Sequence, residues 1–157
     1  MRVKYVMTKN PSCCVPSDPA PRAAIIMRDE DTGIVPVIDN EQSQRIVGVV
    51  TDRDLCMNVV AESREPAAVA VEQCMTTVVV TCAPGDGVEK ATELMKENQI
   101  RRVIVVDDQR RLQGVVSMAD LVGRADLKNA ETHDTLKKVS APNTSPSKPR
   151  ARSRSAA

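Results

Sequence analysis

The chain has 157 residues, 41% of them hydrophobic but only 1% aromatic, with no Phe, no Trp and a single Tyr. Its core must therefore be Val, Ile, Leu, Met and Ala, and any bound base must rest on aliphatic side chains. The formal net charge is +1, yet Lys148, Arg150, Arg152 and Arg154 lie in an acid-free stretch from residue 141 onward, so the rest is net negative, which argues against a nucleic-acid-binding body.

No run approaches the length of a membrane span, and Met1-Arg2-Val3-Lys4-Tyr5-Val6 lacks the apolar stretch of a secretory signal, so a cytoplasmic location with no membrane partner is expected. Five cysteines without zinc-ribbon spacing, and one histidine, His133, signal neither a disulfide framework nor a metal centre. The default is buried, reduced thiols. Adjacent Cys13 and Cys14 invite a redox reading, but neighbours on an extended strand point to opposite faces and would need partners elsewhere.

In chain order, residues 5–8 read as a short strand, broken by Lys9-Asn10-Pro11-Ser12 before the extended Cys13-Cys14-Val15. Asp18 is a candidate N-cap with Pro19 in the first helical position, and Ala20, Ala23, Ile26 and Met27 recur at helical spacing until Asp31-Thr32-Gly33. Two β-branched runs, Ile34 to Ile38 and Ile46 to Val50, then predict an antiparallel hairpin around a polar loop. Pro36 cannot donate a ladder hydrogen bond, which suggests an edge position or a backbone left open to a ligand. A short helix carrying Leu55, Met57 and Val59 follows Thr51, and Ala61 to Pro66 reads as a linker.

The pattern then starts again. A helix is expected over Val88, Ala91, Leu94 and Met95, with Asp86 and Glu89 as its capping box, and Val103 to Val106 with Leu112 to Val116 form a second hairpin. A last helix holds Leu121, Val122 and Leu127, after which the apolar period gives way to Ser, Pro, Lys and Arg. Disorder is expected from 139 to 157.

Written in register, Met7-Thr8 matches Met75-Thr76, Pro16 matches Pro84, Asp18 matches Asp86, Ala23 matches Ala91, Met27 matches Met95, Val35 matches Val103 and Asp39 matches Asp107. After an insertion in the first polar loop, where chain length is cheaply absorbed, Gly48-Val49-Val50-Thr51-Asp52-Arg53-Asp54-Leu55 realigns with Gly114-Val115-Val116-Ser117-Met118-Ala119-Asp120-Leu121. In each copy a strand ends at a hydroxyl residue and a carboxylate follows three positions later. A capping box has that spacing without any ligand, and a helix start that grips a phosphate has it too.

Tandem units with Met-Thr near the start, Pro-x-Asp before a helix, Val-Pro-Val-Ile-Asp and Gly-Val-Val-Thr-Asp-Arg-Asp resemble a pair of CBS (cystathionine β-synthase) domains of the small stand-alone prokaryotic type, over roughly residues 5 to 127. The resemblance implies an α+β fold of two β-α-β-β-α units about a pseudo-twofold axis, with domains at 1–62 and 63–130 and a tail at 131–157. It also implies two clefts for adenosine-containing ligands and pairing of the discs into a homodimer. Carried over residue by residue, Thr51 and Ser117 would contact phosphate, and Asp54 and Asp120 would accept the ribose hydroxyls. Adenine would lie near Ile34 and Pro36 in one cleft and near Arg102 and Ile104 in the other; phosphate charge would be met by Lys9, Arg53, Arg101 or Arg102, and Thr8 and Thr76 complete the set. The second unit departs from the pattern, with Ile104 for the usual proline and Met118-Ala119 for Asp52-Arg53, so the first cleft is the better candidate.

Catalysis has little support, because His133 lies near the tail and no cysteine has a base partner nearby in sequence. The leading expectation is a non-enzymatic regulatory module that needs no cofactor, binds AMP, ADP, ATP or S-adenosylmethionine, and acts on a separate enzyme or transporter. A ligand-free structural or stress dimer, and a thiol redox protein using Cys13 or Cys14, are the alternatives.

Overall fold

The computed structural model describes residues 1–124 and Lys138. The Leu127 end of the last helix and the tail expected to be disordered lie outside the described residues. In chain order the elements are β1 (Thr8–Lys9), α1 (Ala20–Asp29), β2 (Ile34–Ile38), β3 (Ile46–Thr51), α2 (Asp52–Leu55), β4 (Thr81–Cys82), α3 (Val88–Asn98), β5 (Arg102–Val106), β6 (Leu112–Ser117) and α4 (Met118–Arg124). Short 3-10 helices cover Val3–Tyr5, Pro66–Ala68 and Val71–Gln73, and a π-helical turn, Cys56–Val60, prolongs α2. This is the expected α+β repeat.

Both β-branched runs form hairpins. β2 pairs antiparallel with β3, and β5 with β6, each with a bulge at the equivalent place, Val37/Ile38 and Val105/Val106. Pro36 sits opposite Val49, and its carbonyl accepts from the Cys14 N–H at 3.0 Å, so the missing donor breaks no ladder while its acceptor is used.

The opening strands exchange between the units. β1 pairs with β6, Thr8 against Val115 and Lys9 against Gly114, making a four-stranded sheet in the order β1-β6-β5-β4. In the reciprocal crossing Thr76 bridges Val49, with the Val49 N–H donating to the Thr76 carbonyl at 2.9 Å and the Thr76 N–H donating back at 2.8 Å. This explains the glycine that opens each repeated motif. A Cβ on Gly48 would stand 3.0 Å from the Thr76 carbonyl oxygen and 2.8 Å from Met75 Sδ; on Gly114 it would stand 2.6 Å from the Thr8 carbonyl oxygen and 2.9 Å from Met7 Sδ.

Packing follows the exchange. Val3 and Val6 lie in a core with Val88, Ala91, Met95, Val103, Val116 and Leu121, whereas Val69, Val71 and Cys74 join Ala23, Ile26, Met27, Val35, Val37 and Val50. A third cluster, Ile46, Ile104, Val106 and Val115, ties the hairpins of the two halves together. Neither half closes its core without a segment from the other.

Two local expectations need correction. Residues 5–8 are not one strand: the Val3 and Lys4 N–H groups donate to the carbonyls of Asp86 at 2.9 Å and Pro84 at 3.0 Å, which holds that segment in a 3-10 turn, and only Thr8–Lys9 is extended. Nor do Asp18, Asp86 or Glu89 cap the long helices, whose N-caps are Pro19 and Gly87 without side-chain bonds. Each aspartate instead reaches back across a proline turn, Asp18 accepting from the Val15 N–H and Asp86 from the Ala83 N–H, both at 2.9 Å.

Candidate functional site

The repeated motif places a hydroxyl and a carboxylate where a strand turns into a helix, and both copies close as reciprocal caps. The Asp54 N–H donates to Thr51 Oγ1 at 3.1 Å while Asp54 Oδ2 accepts from the Thr51 N–H at 2.9 Å. The Asp120 N–H donates to Ser117 Oγ at 3.2 Å, and Asp120 Oδ2 accepts from the Ser117 N–H at 2.9 Å. The second copy adds a bond that the first lacks among the described residues: the Ser117 hydroxyl donates to Asp120 Oδ2 at 2.6 Å.

Each cap borders a cleft. The larger, about 840 Å³, is lined by Gly33 and Ile34 at the start of β2, Thr51 to Asp54, the crossing segment Thr76 with Val78 to Val80, and Gln99 to Arg102 with Ile104. The strand exchange builds it, because Thr76 is brought beside Thr51 only by the bridge to Val49. Gly33 lies beside charges of both signs, a Cβ there standing 3.0 Å from Asp52 Oδ2 and 3.6 Å from Arg102 Nη1. The lining mixes aliphatic residues with three arginines and two aspartates, and Val78 is 83% exposed, an unusual state for a large aliphatic residue.

The smaller cleft, about 250 Å³, is lined by Thr8, Pro11, Ser12, Glu30 to Thr32, Ile34, Arg102, Val115, Ser117, Ala119 and Asp120. Thr8 arrives through β1 in the same way that Thr76 arrives opposite. The sequence candidates thus separate into Thr51, Arg53, Asp54, Thr76 and Ile104 in one cleft and Thr8, Ser117 and Asp120 in the other, with Ile34 and Arg102 shared. Pro36 is buried in β2 and lines neither.

Sequence reasoning missed Val78 to Val80, Gln99 and Ile100, and their counterparts Pro11, Ser12, Glu30 to Thr32. They belong to loops without a motif, and the signal that could have found them was the constant offset of the repeat.

The five cysteines are free thiols. Burial pushes the Cys14 thiol up to about 12 and Cys82 up to about 11, and it also raises Cys13 and Cys74, so these four hold their protons at neutral pH. Among the described residues no group of acidic, Cys or His side chains is arranged to hold a metal ion, and no helix is long and apolar enough to cross a membrane.

The architecture and its repeat have relatives. YlbB of Bacillus subtilis (strain 168) is 32% identical over 120 residues, covering 76% of this chain and 79% of that protein. The CBS domain-containing protein YhcV of the same organism is 33% identical over 119 residues, covering 76% of this chain and 81% of that one. Among solved structures, a CBS domain protein from Pyrobaculum aerophilum complexed with AMP superposes with a TM-score of 0.72 at 22% identity, covering 87% of this chain and 99% of that one, a likeness of fold. The family model described as CBS domain matches residues 3–61 and again 71–126, so the chain belongs to the CBS domain family and carries two copies of the domain.

Proposed function

We propose that this chain is a non-enzymatic regulatory module that binds an adenine nucleotide in the cleft around Thr51 and Asp54 and passes its occupancy to a separate enzyme or transporter. The observation that carries the reading is the convergence of three arginines, Arg53, Arg101 and Arg102, with a hydroxyl, a carboxylate and the aliphatic surface of Ile34, Val78, Val79 and Ile104. Arginine forks suit phosphate, Asp54 has the acceptor oxygens that a ribose diol requires, and Ile34, Val78 and Val79 offer a base the aliphatic kind of surface that a chain so poor in aromatics can supply. The volume, about 840 Å³, lies in the range of small-molecule sites. A protein of like fold was solved in complex with AMP.

A second observation favours a different reading. Each cap is a complete reciprocal pair within the chain, and the same residues serve a structural dimer equally well. Ile25 on α1, Met57 and Val60 on the π turn and Val122 on α4 are 45%, 39%, 70% and 51% exposed, apolar helix surface that a second copy would cover.

Melting curves with AMP, ADP, ATP and S-adenosylmethionine separate the two. A binder at a hundred times its dissociation constant gains about 2.7 kcal/mol, a shift of several degrees. No shift with any of the four supports the structural dimer and overturns the nucleotide reading.

A further inference from the structure

The two clefts differ in the charged residues that line them, and the differences share one sign. In the repeat register Asp31 stands in the smaller cleft where the larger has Gln99, and Ala119 where it has Arg53; Glu30 adds a carboxylate to the smaller lining, and Arg101 a cation to the larger. The smaller cleft is therefore lined by Glu30, Asp31 and Asp120 against Arg102, the larger by Asp52 and Asp54 against Arg53, Arg101 and Arg102. Arg102 serves both linings, so even the one cation of the smaller cleft is shared. Glu30 is tied to the Ser12 hydroxyl, itself a lining group, which keeps that carboxylate beside the cleft.

The hydroxyls differ in the same direction. Thr51 Oγ1 accepts from the Asp54 N–H and keeps its proton for a ligand, whereas the Ser117 proton is given to Asp120. A phosphate in the smaller cleft would have to break that bond and then lie among carboxylates, while a monophosphate brings close to two negative charges of its own. What both clefts retain is a carboxylate three residues after the strand and the shared Ile34, the ribose and base ends of the site.

Building on the nucleotide reading above, we infer that the smaller cleft is the binding site for a nucleoside without phosphate, neutral or cationic, while the larger cleft takes the phosphorylated nucleotide. The chain then reports on two ligand classes at once. The smaller volume, about 250 Å³ against 840 Å³, fits adenosine, which is shorter than AMP by the phosphate.

Calorimetry on the full chain tests this with AMP, adenosine and S-adenosylmethionine as probes. Wild type binds one AMP per chain. In Asp54→Asn, where the larger cleft is disabled, adenosine or S-adenosylmethionine still binds, and AMP binds at least about tenfold more weakly than they do, the deficit of one charge-assisted contact. Adding Glu30→Gln with Asp31→Asn removes about tenfold of that preference. Arg53→Ala, which touches no cap bond, serves in place of Asp54→Asn should that variant melt early. AMP binding to Asp54→Asn as tightly as adenosine, or a preference unmoved by Glu30→Gln with Asp31→Asn, overturns the inference. So does an Asp54→Asn chain that binds none of the probes while wild type binds AMP, with the nucleotide reading left intact. A wild-type chain that binds no probe at all removes both.

Discussion

The two clefts are built by one motif in one fold, yet they are not copies. Both have a strand, a hydroxyl, a carboxylate and a crossing segment from the other half, and both caps close to within about 0.1 Å of each other in their N–H bonds. What differs is the rest of each lining: Arg53 against Ala119, Gln99 against Asp31, with Arg101 in the larger cleft and Glu30 in the smaller. The groups that secure the fold are repeated and those that would choose a ligand are not. A duplicated module can diverge in specificity at no cost in architecture, because the cap is satisfied within the chain itself.

The sharpest way to break this comparison is to remove the residues that exist on one side only. Arg53→Ala should lower nucleotide affinity roughly ten- to a hundredfold, the usual worth of a charge-assisted contact, with the melting temperature of the ligand-free protein unchanged. Ala119→Arg should move the other way and give the smaller cleft measurable affinity for AMP. Titration of both variants at fixed ionic strength checks the pair.

Next come the crossings that build the clefts. Gly114→Ala and Gly48→Ala each force a methyl against a backbone carbonyl and should cost about 1–3 kcal/mol in urea unfolding. Gly114→Ala should be the worse of the two, because its Cβ would meet the Thr8 oxygen at 2.6 Å while that of Gly48 would meet Thr76 at 3.0 Å. Equal or reversed losses would mean that the two crossings are not held with the tightness described.

The caps should then prove alike where the clefts prove unlike. Asp54→Ala and Asp120→Ala each remove a carboxylate accepting from a backbone N–H at 2.9 Å, and each should cost about 1 kcal/mol of stability. The smallest effect concerns the equivalent thiols Cys14 and Cys82. A thiol whose pKa is raised on folding contributes fully below the ordinary value near 9, and the contribution is lost as pH climbs toward about 12 for Cys14 and about 11 for Cys82. Stability measured from pH 8 to 11 should fall, and Cys14→Val should flatten that fall more than Cys82→Val.

Much of this was legible in the residues. The constant offset of Met-Thr, Pro-x-Asp and the Gly-Val-Val motif announced two α+β units, and the β-branched runs placed both hairpins, because periodicity and β-branching act locally. The caps at Thr51 and Ser117 were legible for the same reason. The Asp18 and Asp86 assignments failed because an aspartate beside a proline can serve the turn before it or the helix after it, and only tertiary packing decides. The exchange of β1 and of Thr76 between the halves carries no local signature, since pairing of distant strands depends on the assembled core. Asp31 read as part of the stretch that ends a helix until that exchange made it, with Glu30, the wall of a cleft.

The central claim is that the larger cleft dominates nucleotide binding, and calorimetric titration of AMP into wild type, Asp54→Asn and Asp120→Asn side by side tests it most directly. Asparagine keeps the shape and part of the cap while removing the charge, so affinity is read apart from folding. The account predicts one AMP site per chain, a loss of roughly tenfold or more in Asp54→Asn, and little change in Asp120→Asn. Equal losses in the two variants, or a larger loss from Asp120→Asn, would contradict it.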